Sequence, residues 1–164
     1  MTACICINAS NVAIPKFPTR RHYMDRKILY MTKTGHSRKI AHAIADTLEL
    51  EALDAKTNPD LSNTDLLIVV GGIYAGRSNP ELIEFMKRID STLVKHAVLI
   101  TSCASKKFFQ KEVRAVLFEN GIEVFPKEFV CRGNFLFVGL GHPNKQDFAD
   151  AIDFTKQAID HYQS

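Results

Sequence analysis

From residue 27 onward, short apolar runs alternate along the chain with stretches whose apolar residues recur at helical spacing. The strongest run, residues 66–70, is uninterrupted and rich in branched aliphatic side chains, which is typical of a strand covered on both faces. Other apolar runs lie at residues 28–31, 50–55, 97–100 and 122–130. Five strands separated by four helices predict a three-layer α/β fold, in which helices cover both faces of a doubly wound parallel sheet.

Two of the helices begin at recognisable capping sequences. Asn79 precedes Pro80, which combines a favoured N-cap residue with proline at the first helical position. Asn144 is followed three residues later by Asp147, a spacing typical of a capping box. These sequences predict helix starts at about residues 80 and 145.

The carboxyl ends of the strands are where a ligand is expected in such a sheet. The pair Gly71-Gly72 predicts the end of the strongest strand, and Pro126 places the last strand at a sheet edge or a bulge. Three loops follow strands at this edge, at residues 32–37, 71–78 and 102–107. We expect them to converge on one site.

The chain of 164 residues is long enough for one well-buried domain. Its net charge of +3 originates in residues 1–23, which contain Lys16, Arg20 and Arg21 and no acidic residue. The remaining charges balance, so the composition predicts no nucleic-acid partner. We expect one domain over residues 24–164. Residues 1–23 fit a disordered leader, an organelle transit peptide or a chain whose true start is Met24.

The four cysteines, Cys4, Cys6, Cys103 and Cys131, lack the paired spacing of a zinc site or a disulfide framework. The six histidines show no close pairing either. We therefore expect no metal site, and a reducing compartment, the cytoplasm. No apolar stretch is long enough to cross a bilayer, so no membrane span is predicted.

The turn between the first strand and the first helix carries the strongest functional signal. A helix start offers unpaired backbone N–H groups at the positive end of the helix dipole, which suits an anion. The glycine in this turn lets a bound group approach the backbone, and the threonine and serine side chains of the turn add hydroxyl donors. The residues of this turn are Thr32, Lys33, Thr34, Gly35, His36 and Ser37. The turn suits a terminal phosphate, and an ordinary capped strand–helix connection is the alternative.

The same turn matches the T-x-T-G-x-[ST] phosphate loop of flavodoxins, and it directly follows the first strand as it does in that family. The chain resembles flavodoxins from about residue 27 to residue 162. A second similarity, to short flavodoxin-like proteins, lies in Cys131-Arg132-Gly133 and Gly141-His142-Pro143-Asn144. The resemblance implies a five-stranded sheet in the order 2-1-3-4-5 and a non-covalently bound FMN.

The resemblance also implies which residues would contact FMN. The turn at residues 32–37 would hold the phosphate, with Lys33 adding a positive charge. The residues bordering the flavin ring would be Gly72, Ile73, Tyr74, Ala75, Gly76 and Arg77 on one side and Ser102, Cys103, Ala104 and Ser105 on the other. Gly76 is our candidate for the peptide that turns its carbonyl toward the protonated ring N5 in this family, since glycine accepts both conformations. The alternative roles are an exposed loop-tip aromatic for Tyr74 and buried packing for Cys103.

Two features depart from the family pattern. Flavodoxins commonly hold the ring between aromatic side chains, whereas this chain has no Trp, so ring packing falls to Tyr74 and to Phe135 or Phe137. Flavodoxins are also acidic around the flavin, and this chain is basic there. The cations expected at this edge are Lys33, Arg77, Lys106, Lys107 and Arg132. Because positive charge stabilises the negatively charged reduced flavin, we expect a less negative reduction potential than an acidic flavodoxin has.

Residues 71–78 resemble a nucleotide-binding P-loop except that Arg77 replaces the lysine of that motif. A planar guanidinium is a poor substitute for the compact charge of lysine between two phosphates. Pro80 would also fall within the first turn of the required helix. We therefore expect no nucleotide hydrolysis.

The sequence is compatible with three functions. The first is an FMN carrier that passes electrons between redox partner proteins. The second is an FMN-dependent oxidoreductase with a small substrate such as a quinone or, given the basic edge, a protoporphyrinogen. The third is a flavodoxin-like binding module without flavin. The chain lacks a long insertion that would shape a substrate pocket, which favours the electron-transfer protein over the enzyme.

Overall fold

The computed structural model describes residues 24–105, 107–132 and 142–164 of the chain. In chain order its elements are β1 (Arg26–Tyr30), α1 (His36–Leu48), β2 (Ala52–Asp54), a short 3₁₀ helix (Ala55–Thr57), β3 (Thr64–Tyr74), β4 (Arg77–Ser78), α2 (Pro80–Met86), β5 (Val94–Cys103), α3 (Lys111–Glu119), β6 (Glu123–Arg132) and α4 (Lys145–Gln163). Within these ranges no helix has the length and apolar character needed to span a membrane.

The main strands form a parallel sheet in the order β2-β1-β3-β5-β6. β4 pairs antiparallel with the end of β3 and lies off this path. Without β4 the order is the predicted 2-1-3-4-5, and helices cover both faces, so the expected three-layer fold is confirmed. The chain first builds outward from β1 to β2 and then returns to β3 on the other side. This reversal places the ligand-binding edge of the sheet at the carboxyl ends of β1 and β3.

The core is built on the two faces of β3. Leu67 and Val69 belong to the buried cluster that includes residues of α2 and α3. Ile68 and Val70 belong to the cluster that includes residues of α1 and α4. Full burial of each such aliphatic side chain stabilises the folded state by about 1.5–3 kcal/mol relative to leaving it exposed. Because both faces of β3 are covered, the strand needs apolar residues at successive positions.

Both predicted capping sequences start helices where expected. The Asn79 side chain accepts a hydrogen bond from the amide of Glu81, and Pro80 is the first residue of α2. At α4, the Asn144 side chain accepts from the amide of Asp147, whose carboxylate accepts from the amide of Asn144 in return. These reciprocal bonds satisfy donors that a helix start leaves unpaired.

The prediction that Gly71-Gly72 ends the central strand is wrong. β3 continues through both glycines to Tyr74. A Cβ atom on Gly71 would lie 2.1 Å from the side-chain oxygen of Gln110, and one on Gly72 would lie 2.7 Å from the hydroxyl of Tyr74. The glycines are therefore required by close approach rather than by a turn. β5 also extends beyond the predicted end at residue 100, because its residues up to Cys103 pair with the extended β3 or with β6.

The remaining boundaries follow from the position of each element in the sheet. β6 pairs with β5 alone among the described strands, and its register shifts between the partners of Ala97 and Leu99. Pro126 falls within this shift, so the predicted edge position and bulge are both confirmed. α3 begins at Lys111, and Phe109 is left exposed before it.

Candidate functional site

The loops after β1 and β5 and the β3–β4 hairpin enclose a cavity of about 420 Å³. Its lining residues are Thr34, His36, Ile73, Tyr74, Ala75, Gly76, Ser102, Cys103, Ala104, Ser105 and Phe108. All of these except Phe108 are among the residues for which the sequence predicted cofactor contact. The structure thus brings the three predicted segments together, and their contact with a cofactor stays a prediction.

Gly35 shapes the turn between β1 and α1. Its φ of 85° lies in the left-handed region, which glycine adopts without strain. Its amide donates to the Thr32 hydroxyl over 2.8 Å, and its carbonyl accepts from the amide of Lys39. A Cβ at Gly35 would meet no atom within 4 Å, so this side of the turn is open to a bound group.

The amides at the start of α1 are available to a ligand. Within the described ranges, the backbone N–H groups of Thr34, His36, Ser37 and Arg38 donate to no other residue. Ser37 is 1% exposed, and its hydroxyl has no protein partner there either. The first turn of α1 carries no acidic residue that would occupy these donors. This donor set fits the phosphate of a mononucleotide, which needs several N–H and O–H donors at a positive helix end.

His36 contributes to this turn as a neutral side chain. Burial lowers the pKa of His36 below its ordinary value, and the positive charge of Lys39 lowers it further. Its Nδ1 lies 3.3 Å from the Thr34 hydroxyl. The positive potential at physiological pH therefore comes from the helix start and from Lys33 rather than from the imidazole.

Tyr74 joins the β3–β4 hairpin to the turn between β1 and α1. Its hydroxyl accepts a hydrogen bond of 2.9 Å from the amide of Lys33, whose ammonium group lies 5.4 Å from the centre of the Tyr74 ring. The ring itself packs over the backbone of Gly72. Tyr74 is half-buried in this arrangement, so it is not an isolated aromatic at a loop tip.

The tip of the hairpin is formed by Ala75 and Gly76, with φ values of 50° and 77°. Two consecutive left-handed residues are the requirement of a type I′ turn, the tight connection that suits twisted antiparallel strands. The tip packs beside Phe108, whose ring carbon would lie 3.5 Å from a Cβ on Gly76. The predicted glycine is therefore in the tight turn, next to the cavity.

Phe108 is the cavity residue that sequence reasoning missed. It is 44% exposed, and it directly follows the predicted loop at residues 102–107. Two adjacent phenylalanines before a helix are the signal that could have identified it, because large apolar residues are uncommon on an exposed loop. Phe108 supplies an aromatic face where the chain has no Trp. Phe135 and Phe137, the other aromatic candidates, lie outside the described residues.

A buried polar network supports the end of β5 behind the cavity. Gln110 is fully buried and donates to the carbonyl of Ile100 and, over 2.9 Å, to the hydroxyl of Thr101. The Glu128 carboxylate accepts hydrogen bonds from the Thr101 hydroxyl and from the backbone amide of Gln110. Arg114 lies 3.7 Å from the same carboxylate. The network ties β5, β6 and α3 together directly before Ser102 and Cys103, and none of its members was predicted.

Three cations flank the cavity along the chain. Lys33, Arg77 and Lys107 are exposed and each is the chain neighbour of a lining residue, whereas Lys106 and the side chain of Arg132 lie outside the described part. Behind Arg77, the Glu112 carboxylate accepts a hydrogen bond of 2.8 Å from the Ser78 hydroxyl. Hydrogen bonds from its own backbone amide and from Ser78 lower the pKa of Glu112, and Arg77 lowers it further. The predicted basic edge is therefore present where the described residues extend.

The remaining predicted residues lie in the core or beyond the described part. Cys103 is buried at the cavity wall and unpaired, and Cys131 is buried in the core below it. His142 contacts the Asp147 carboxylate at the start of α4. In the described ranges no cluster of histidine, cysteine or acidic residues could hold a metal ion, and the motif residues 133–141 fall outside them.

Comparisons with known proteins agree with this geometry. The model of the flavodoxin domain family matches residues 27–133. An uncharacterized protein of Methanocaldococcus jannaschii is 33% identical over 148 residues, which cover 81% of this chain and 98% of that protein. Among solved structures, an archaeal flavodoxin superposes with a TM-score of 0.61 at 14% identity, covering 82% of this chain and 98% of its own. An NAD(P)H:quinone oxidoreductase from Methanothermobacter marburgensis gives 0.60 at 11% identity, covering 82% and 96%.

The structural neighbours share the fold at low identity, whereas the family model covers the phosphate turn, the hairpin and the loop after β5 in one match. The chain belongs to the flavodoxin family.

Proposed function

We propose that this chain binds FMN non-covalently and transfers electrons between redox partner proteins. A flavodoxin domain implies a flavin cofactor, and FMN is the flavin whose chemistry best suits this cavity. The observation that carries the proposal is that the donors at the start of α1, which have no partner among the described residues, adjoin a mainly apolar cavity. One end suits a phosphate dianion and the other a flat aromatic ring.

Each segment has a distinct task in this proposal. The amides of Thr34, His36 and Ser37, together with nearby hydroxyl groups, would bind the phosphate. Phe108 would pack against the ring, with Tyr74 closing the space between the two loops. FMN, when bound, supplies the electron-accepting chemistry, and the protein sets its environment and leaves one edge accessible. We further propose the cytoplasm as the compartment, in line with the scattered cysteines.

Cofactor preference tests the phosphate assignment. The purified protein is expected to be yellow or to take up FMN, and to bind FMN more tightly than riboflavin, which lacks the phosphate. Ser37→Ala and Gly35→Pro are expected to weaken FMN binding by about tenfold or more, because each removes or misplaces donors to a charged group. Affinity for riboflavin should change little.

The matched control is Thr47→Ala, which removes a hydroxyl from the far end of α1 and leaves the turn intact. Equal affinity of the wild type for FMN and riboflavin would refute the phosphate assignment. A colourless protein that binds neither flavin would instead support a flavin-free binding module.

The open cavity mouth also fits an FMN-dependent oxidoreductase with a small substrate of its own. Phe108 leaves part of the mouth exposed, and Lys33 and Arg77 would favour an anionic or polarised substrate such as a quinone or protoporphyrinogen. Turnover of such a compound by the FMN-loaded protein alone would identify this second function. Electron transfer that requires a partner protein would identify the first.

A further inference from the structure

We propose that the mouth of the cavity is a docking surface for an acidic electron-carrier protein, an inference that rests on the proposed function. The surface comprises Lys33, Arg77, Lys107, Phe108 and Phe109, and we call it the basic mouth. Its residues come from the three segments that enclose the cavity. A partner seated on it would lie directly over the accessible end of the site.

The charge of the basic mouth has a single sign. Lys33, Arg77 and Lys107 are all exposed, and among the described residues none of them forms an ion pair. The cavity lining contains no acidic side chain. The Glu112 carboxylate interacts with Arg77 and also accepts a hydrogen bond from the Ser78 hydroxyl. The three cations still outnumber this one acid, so the surface is positive and would attract an acidic partner.

Two exposed aromatic side chains belong to the basic mouth. The described ranges contain three exposed large apolar side chains, and two of them are the neighbours Phe108 and Phe109, each 44% exposed. Aromatic residues inside a polar rim are the usual anatomy of a protein–protein interface. Two adjacent exposed phenylalanines beside the cavity are unfavourable in water, which indicates a surface that a partner covers.

An acidic protein fits these observations better than a basic protein or a nucleic acid. A basic carrier would meet uncompensated like charge, which opposes association. From residue 24 onward the basic and acidic residues are equal in number, so the composition gives no excess of positive charge for a nucleic-acid backbone. Electron carriers bind briefly through small interfaces, and a few cations around an apolar centre are sufficient to steer such an encounter.

Docking is measured with the FMN-loaded, ¹⁵N-labelled protein, after absorbance has established that FMN is retained. Zinc-substituted rubredoxin serves as an acidic, redox-inert probe, and cytochrome c as a basic one. We expect chemical-shift changes at Lys33, Arg77 and Phe109 with the acidic probe alone. Raising the salt concentration from 20 to 200 mM should weaken its binding about tenfold. Vesicles with anionic lipids test the same surface against a membrane.

Variants assign the effect to the basic mouth. Lys107→Glu and Phe109→Ser, both outside the proposed FMN contacts, are each expected to weaken binding of the acidic probe about tenfold and to leave FMN affinity unchanged. Lys156→Glu makes the same charge change on α4, away from the cavity, and should have little effect.

The outcomes separate the two proposals. Retention of FMN without docking of the acidic probe overturns the docking surface and leaves the proposed function standing. So does stronger binding of the basic probe, binding of vesicles alone, or an equal effect of Lys107→Glu and Lys156→Glu. Failure to bind FMN refutes the proposed function, and the docking inference is lost with it.

Discussion

Gly71 of β3 leaves no room for a side chain. A Cβ there would lie 2.1 Å from the Gln110 side-chain oxygen and 2.7 Å from a methyl group of Leu82. Gln110 cannot swing away without losing its hydrogen bonds to Ile100 and Thr101. A single hydrogen atom at this position therefore lets α3 and the loop before it pack against β3.

Gly71→Ala is expected to destabilise the protein by about 2–3 kcal/mol, because it forces overpacking and displaces buried hydrogen bonds. Urea unfolding followed by circular dichroism measures the change in the free energy of unfolding. Removing the obstructing side chain in the double variant Gly71→Ala/Gln110→Ala should recover part of the loss relative to the sum of the single changes. A cost of Gly71→Ala below about 0.5 kcal/mol would contradict the close packing.

Tyr162 is a second informative residue, at the opposite edge of the sheet. Its ring stacks on His96 with centroids 4.3 Å apart, and its buried hydroxyl has no hydrogen-bond partner among the described residues. Burial, together with the nearby carboxylate of Glu123, raises the pKa of Tyr162 to about 12. The folded protein thus keeps this proton at a pH where the unfolded chain, with the ordinary value of 10.0, releases it.

Folding stability should therefore fall as the pH rises from about 10 toward 12, because the unfolded state gains by ionisation and the folded state does not. Tyr162→Phe is expected to leave stability at pH 7 nearly unchanged and to reduce this alkaline loss. Urea unfolding of both proteins at pH 8 and pH 10.5 provides the measurement. Parallel losses in the two proteins would show that Tyr162 is not responsible.

Among the elements, the β3–β4 hairpin links the core to the cavity. It is a direct continuation of the most buried strand, and its Ala75-Gly76 tip needs two left-handed residues. The resemblance to flavodoxins implies that both residues border the flavin ring, and the sequence pattern predicted a loop at residues 71–78 instead of a hairpin. The error has a physical cause, since a glycine signals a turn and a close backbone approach in the same way.

Ala75→Pro is expected to weaken FMN binding at least tenfold, because proline fixes φ near −65° and cannot adopt the 50° of this position. The overall fold should persist, since the tip is exposed and outside the core. Ala75→Gly, which permits the same conformation, is the control and should bind FMN like the wild type. Calorimetric titration with FMN, together with thermal unfolding, distinguishes a local effect from a global one. Unaltered FMN binding by Ala75→Pro would exclude the hairpin from the site.

At the scale of the whole molecule, local signals predicted the fold and long-range packing determined what they missed. Strand alternation and the Asn79 and Asn144 caps depend on neighbouring residues, so the sequence reveals them. Phe108 and the Gln110–Glu128 contact become adjacent to the site only when α3 and β6 pack together. No pattern along the chain records that proximity.

The charge of the site belongs to the same scale, because its cations come from distant parts of the chain. Arg77→Glu is expected to make the reduction potential of bound flavin more negative by roughly 20–80 mV, since reversing one exposed charge changes its interaction by about 0.4–2 kcal/mol. Lys156→Glu controls for net charge. Redox titration at low salt measures both variants, and an unchanged potential in Arg77→Glu would exclude an electrostatic role for the basic edge.

The bond between the Tyr74 hydroxyl and the Lys33 amide has a practical consequence. It holds the β3–β4 hairpin against the turn at residues 32–37, so protein prepared without flavin should keep these two segments of the proposed site in place. FMN added to the flavin-free protein at neutral pH should then bind completely in one kinetic phase, without unfolding and refolding of the protein.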